Sequence, residues 1–282
     1  MAEGRIYAKI VRRGLTLVVL GMVYNGLFKL DFENLRIASV LGRIGLAWSI
    51  AAVLYLNFGV KTRAAIAVAV LAGYGALSAL VAAPDAAGAG PLTFEGNLAG
   101  YIDRQFLPGK LIYGSFDPEG LLSTVPAVVT AMLGMFTGEF VRRSDIRGGR
   151  KTLWMAAAAA ALLAAGLAFS GVLPVNKKLW SSTFVCVVGA YSLGMFALFY
   201  YLIDVRGWRR WTLFFRVVGL NSITIYLAQR IVGFGRISDF FLGGIASKCP
   251  EAVAAVISSA GYVAVCWLFL YFLYRKNVFL KV

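Results

Sequence analysis

The stretch Asp117-Pro-Glu-Gly-Leu-Leu-Ser-Thr-Val-Pro-Ala-Val-Val-Thr-Ala-Met-Leu-Gly-Met-Phe-Thr-Gly-Glu-Phe-Val141 opens on charged and helix-starting residues and then runs apolar. Its length matches the roughly 20 residues that cross a bilayer as a helix. Similar blocks fall at about 12–30, 37–57, 63–83, 120–141, 152–172, 180–203, 211–232 and 254–274. The chain therefore reads as all-α, a polytopic helix bundle in a membrane with about eight spans. Composition agrees: of 282 residues 60% are hydrophobic and 15% charged, where a soluble domain is nearer a quarter charged. We find no linker between soluble domains, so residues 1–282 read as one transmembrane domain.

The net charge of +15 does not indicate nucleic acid, because the basic residues sit in short clusters between apolar blocks. They follow the positive-inside pattern instead. One side collects Arg5, Lys9, Arg12, Arg13, Lys61, Arg63, Arg142, Arg143, Arg147, Arg150, Lys151, Arg206, Arg209, Arg210, Arg275, Lys276 and Lys281, seventeen of the 28 Lys and Arg residues. Nine of the thirteen acids lie on the other side. Both termini are thus expected in the cytoplasm, with 84–119 as an extracytoplasmic loop that gathers polar motifs.

Those motifs carry the chemistry. Asp103 and Arg104 stand in the long loop, and Asp117 and Glu119 at the start of the fourth block. A charge close to hydrocarbon costs roughly 2.5–3.5 kcal/mol and tends to mark function. Pro118 suits a first helical turn, Asp117 a cap and Glu119 the helix dipole. A well-capped helix and a half-desolvated general base are both open readings. Asn176, Lys177, Lys178 and Trp180 open the sixth block; the lysines suit lipid headgroups, an anionic ligand, or Asp117 and Glu119 as counter-ions, and Trp180 suits an interfacial belt. Arg43 lies inside the second block, as a partner for a carboxylate or ligand or as a snorkelling cation. Asn221 and Ser222 would place an amide and a hydroxyl near the midplane, for interhelical hydrogen bonds or for a polar path.

The chain contains no histidine, which excludes Ser-His and Cys-His nucleophiles and any histidine-based metal site. Cys186, Cys249 and Cys266 follow no metal-ligand spacing, and no metal is expected. There is no nucleotide-binding loop.

Five phrases in order resemble the heparan-α-glucosaminide N-acetyltransferase family and its bacterial relatives: Leu41-Gly-Arg-Ile-Gly-Leu-Ala47, Gly100-Tyr-Ile-Asp-Arg104, Phe116-Asp-Pro-Glu-Gly-Leu-Leu-Ser-Thr124, Leu173-Pro-Val-Asn-Lys-Lys-Leu-Trp-Ser181 and Gly219-Leu-Asn-Ser-Ile-Thr-Ile-Tyr226. The resemblance implies a membrane acyltransferase that takes acetyl from cytoplasmic acetyl-CoA and delivers it to an amino-sugar or glycan acceptor across the bilayer. It implies Asp117, Glu119 and Asp103 as catalytic groups, Arg104, Asn176, Lys177, Lys178 and Trp180 around the acceptor, and Arg43, Asn221 and Ser222 along the path or against the cofactor. A bacterial inner membrane and a homodimer are the matching expectations. The family's catalytic histidine lies upstream of the matched part, and Gln229 stands where some members have another. The chain thus reads as a truncated or histidine-less relative. A membrane binding protein or transporter for an amino sugar is the alternative.

Overall fold

Each long apolar block folds into helix because the backbone has no other way to satisfy its polar groups in hydrocarbon. The structure, a computed structural model, describes residues 2–280; Lys281, counted above among the basic residues, lies outside them. Among the described residues there are eleven α-helices: α1 Ala2–Tyr24, α2 Val40–Asn57, α3 Val60–Leu80, α4 Leu98–Phe106, α5 Leu121–Arg142, α6 Gly148–Ala168, α7 Ser182–Tyr200, α8 Leu213–Leu220, α9 Ser222–Ile231, α10 Phe234–Ala246 and α11 Glu251–Arg275. A single π turn extends α7 to Val205. Six helices are long and apolar enough to cross a membrane: α2, α3, α5, α6, α7 with its extension, and α11. The chain is an integral membrane protein built from helices.

Two of the eight expected blocks fold differently. The block at 12–30 stops at Tyr24, because Gly26 and Leu30 take left-handed backbone angles (φ 103° and 56°) and turn the chain. The remaining helix α1 carries Arg5, Lys9, Arg12 and Arg13 in its first half. The block at 211–232 is not one helix but two, α8 and α9, broken at Asn221 (φ −129°, ψ 30°). Asparagine competes with the helix by bonding through its side chain. Here its amide donates to Val278 O at 3.2 Å and accepts from Thr224 Oγ1 at 3.1 Å.

The chain divides into a unit up to Gly207 and a second from Trp208 onward. In the first unit, α5 packs against α2, α3 and α7 around a small-residue core that includes Ala47, Ala51, Ala67, Val129, Met132 and Val185. α1 lies against α2 and α6 against α7. Small residues let α1 and α2 touch: a Cβ at Gly45 would sit 2.7 Å from Gly14 O and 2.8 Å from Leu17 Cβ. Contacts of this kind hold helices together in lipid, where hydrophobicity does not. We expect Gly45→Leu to force the pair apart and cost about 1–3 kcal/mol, read as a lower thermal midpoint of the purified protein in detergent.

An arginine pins the far end of α5. Arg63, in the first turn of α3, donates to both Glu139 oxygens at 2.8 and 3.0 Å and lies over the Tyr55 ring at 4.6 Å. The neighbouring Lys151 donates to Val141 O at 2.7 Å, satisfying one of the carbonyls that every helix end leaves open. In the second unit α10 packs on α11, and Trp267 stacks on Phe214 at 5.8 Å.

The segment 84–119 is not a plain loop. It contains α4, whose N-terminus Asn97 caps by accepting from Gly100 N at 2.7 Å. A bridge between Ala82 and Asn97 closes its first half. A second bridge ties Arg36 to Gly109, where the left-handed φ of 79° and a backbone contact with Leu35 leave no room for a side chain.

Candidate functional site

The start of α5 meets the start of α2 and the whole of α4, and the polar residues gather where they join. Asp117 is completely buried. Arg36 grips it with two parallel bonds, Nε to Oδ2 at 2.7 Å and Nη2 to Oδ1 at 2.6 Å. The backbone N–H groups of Glu119 (2.9 Å) and Ile112 (3.3 Å) complete its shell. Although burial disfavours its charge, the Arg36 guanidinium and these donors hold the Asp117 carboxyl below the usual range. The same Nη2 of Arg36 also pairs with Glu119 Oε2.

The cap of α5 comes from an unexpected side chain. Sequence reading assigned it to Asp117, with Pro118 inside the first turn. Instead Gly120 is the residue before the helix, and Asp103 of α4 accepts the N–H of Leu121 at 2.9 Å and of Asp117 at 3.2 Å. Gly120 is required for this approach: a Cβ there would lie 2.1 Å from Asp103 Oδ2. Asp103 is fully buried, and that burial pushes its pKa up to about 6 despite the two N–H donors. Its folded pKa thus stands above the unfolded value of 3.8. The stabilising share of Asp103 is present in full below pH 4 and is lost as pH rises through about 6. We expect Asp103→Ala to flatten the pH dependence of the thermal midpoint between pH 4 and 7, with a lower midpoint throughout from the lost cap.

Arg104 serves the same scaffold. Its Nε and Nη2 bind Asp85 at 2.9 and 2.6 Å, and its Nη1 binds Ser115 O at 2.5 Å. Asn176 folds the turn before α7 by accepting from Lys178 N at 2.8 Å. Lys177 is exposed. Lys178 lies over the Tyr113 ring at 4.5 Å, so the cation that balances Asp117 and Glu119 is Arg36 and not a lysine of this turn.

Arg43 is the least satisfied group of this cluster. It is 5% exposed, too buried for a snorkelling cation. Nη2 donates to Pro118 O and to Ser123 Oγ (2.5 Å). Its guanidinium lies over the Trp180 ring at 4.6 Å, and the indole Nε1 donates to Thr130 Oγ1 at 3.4 Å. Nε and Nη1 have no acceptor among the described residues. Arg43, Ser39, Glu119 and Thr124 are the polar lining of a cavity of about 450 Å³ between α2, α3 and α5, whose other walls are nearly all apolar.

The structure thus brings Arg43, Asp103, Asp117, Glu119 and Trp180 together with Arg36, which sequence reading did not single out. Arg36 is 81 residues from Asp117, and nothing in its local pattern marks it. Arg104 joins through Ser115, and Asn176 and Lys178 shape the neighbouring turn. Asn221 and Ser222 belong to the second unit, where Asn221 makes the bonds described above.

No family model matches the chain. It is similar to heparan-alpha-glucosaminide N-acetyltransferase of Homo sapiens, 29% identical over 208 residues, which cover 66% of this chain and 30% of that protein. The protein of the same name from Mus musculus is 27% identical over 205 residues, with the same coverage. The match therefore spans about 30% of the length of these curated relatives. By sequence the chain is a distant homologue of heparan-alpha-glucosaminide N-acetyltransferase.

Proposed function

We propose that the protein is a membrane-embedded N-acetyltransferase, or the part of one that holds the acceptor, moving acetyl from acetyl-CoA to the amine of an amino sugar or glycan end. The observation that carries this reading is the pairing of a distant N-acetyltransferase homology with a buried site in which Glu119 and Arg43 line one cavity, Arg43 keeping two nitrogens without an acceptor among the described residues. Acceptor chemistry on the extracytoplasmic side, cytoplasmic termini and an inner-membrane location complete the proposal.

Of the three carboxylates expected to be catalytic, one is suited to proton transfer. Asp103 and Asp117 are sealed from solvent and spend their oxygens on backbone N–H groups and Arg36. They position the start of α5. Glu119 is engaged through Oε2 only, among the described residues, and lines the cavity. In the reaction Glu119 takes a proton from the acceptor ammonium, and the freed amine attacks the thioester carbonyl. The C–N bond forms, the C–S bond breaks, and the CoA thiolate leaves and picks up a proton. Arg43 supplies donors for the carbonyl oxygen as its charge grows, a role worth far more in a dry site than in water. The reaction needs no covalent acetyl-enzyme and no histidine.

The test is transfer of radiolabelled acetyl from acetyl-CoA to glucosamine by the purified protein in lipid nanodiscs, with acetyl-CoA binding measured by calorimetry on the same sample. Labelled N-acetylglucosamine above the no-protein rate supports the reading. Uptake of glucosamine into proteoliposomes without acetyl-CoA, and without any transfer, would sink it.

A further inference from the structure

The cavity at Arg43 and Glu119 has polar lining at one end only. From there its walls run down α2 through Leu46, Ile50 and Leu54 and down α5 through Val128 and Met132. On α5 the lining extends from Leu121 to Met132, about 16 Å at 1.5 Å per residue. Half of a bilayer's hydrocarbon core is about 15 Å. The cavity is therefore one leaflet deep, apolar along its length and polar where that leaflet would meet its headgroups. Its volume of about 450 Å³ lies within the range of small-molecule sites. It also has an opening on the side of the bundle, since the lining residues Leu46, Ile50, Leu121 and Val125 are each 41–48% exposed.

The chemistry of the two ends restricts the occupant. Neither a free sugar nor the amide-bearing arm of coenzyme A finds partners for its polar groups along these walls, and polar groups buried without partners are penalised. A hydrocarbon chain has nothing to leave unsatisfied. Arg43 and Glu119 line the polar end, and behind them Arg36 pairs with Asp117 and Glu119 while Asp103 caps α5; the five groups together carry a formal charge of −1 with all of them ionised. That balance favours an amine in the head over an anion, while Arg43, with Nε and Nη1 unpartnered among the described residues, calls for oxygen acceptors such as hydroxyls.

We infer that the acceptor is an amphiphile, with a hydroxyl-bearing amino-sugar head at Arg43 and Glu119 and a hydrocarbon chain lying in the cavity between α2 and α5. It reaches the site sideways from the bilayer rather than from water. The identity of the head rests on the acetyl-transfer reading; the chain site rests on the cavity alone.

A hexadecyl glucosaminide carrying a diazirine in its chain tests this by photo-crosslinking to the full protein in nanodiscs, without acetyl-CoA, followed by peptide mapping. The expected result is saturable labelling of α2 and α5, displaced by unlabelled hexadecyl glucosaminide and not by glucosamine at equal concentration. Leu46→Trp, which fills the opening from a partly exposed position, should cut the labelling at least about tenfold, the equivalent of one decade in affinity, with the thermal midpoint unchanged. Labelling spread evenly over the lipid-facing helices, displacement by free glucosamine, or no effect of both Leu46→Trp and Val125→Trp would overturn the inference and leave the opening as a face for another helix. Specific labelling in a protein that transfers no acetyl would uphold the chain site and remove the transferase reading. Transfer to glucosamine without such labelling would do the reverse.

Discussion

Glu119→Gln should abolish most acetyl transfer while leaving the protein folded. The substitution keeps the size of the side chain and an acceptor for Arg36, whose main grip is on Asp117. It removes the one carboxylate that lines the cavity among the described residues. Loss of a positioned general base lowers rates by about 10²–10⁴. The fall should appear in kcat, with acetyl-CoA binding by calorimetry unaltered and the thermal midpoint within a few degrees. Glu119→Asp, shorter by one methylene, should recover part of the rate. A Gln variant with undiminished kcat would remove Glu119 from the chemistry and leave it as a counter-ion of Arg36.

The largest loss of stability is expected from Arg36→Met. Asp117 is wholly buried and Arg36 is its only ion-pair partner among the described residues. Removing one member of a buried pair costs about 3–5 kcal/mol, because the survivor keeps a desolvated charge. That is a large fraction of the stability of an ordinary domain. Arg36→Met should therefore lower the yield of folded protein sharply and reduce its thermal midpoint. The double variant Arg36→Met with Asp117→Asn should recover much of the loss, since no charge is then stranded. A single variant as stable as the parent would mean that water reaches Asp117.

Parts of this arrangement were legible in the sequence and parts were not, for physical reasons. Membrane helices announce themselves because the hydrophobic pattern is local, and six of the expected blocks coincide with long apolar helices. Asp117 and Glu119 were visible because charge beside an apolar run is costly and so conspicuous. Arg36 was not, since its partners lie 81 and 83 residues away and its neighbours look like any polar turn. Asp103 was marked as chemistry-bearing, yet its role as the cap of a helix that begins 18 residues later depends on how α4 folds back. The break at Asn221 was missed because hydropathy averages over a single polar residue, whereas the backbone does not.

The long separation between Arg43 and its partners also bears on biogenesis. α1 and α2 are synthesised about 60 residues before Pro118 and Ser123, since α2 ends at Asn57. Over that interval the insertion machinery holds an apolar helix with an arginine near its start whose later acceptors do not yet exist, and an unpaired charge beside hydrocarbon is costly. The α1–α2 hairpin has reason to wait at the translocon, and a nascent chain cut short ahead of α5 becomes a target for membrane quality control. Assembly of the polar cluster would then act as a checkpoint on synthesis, passed when the fifth helix arrives.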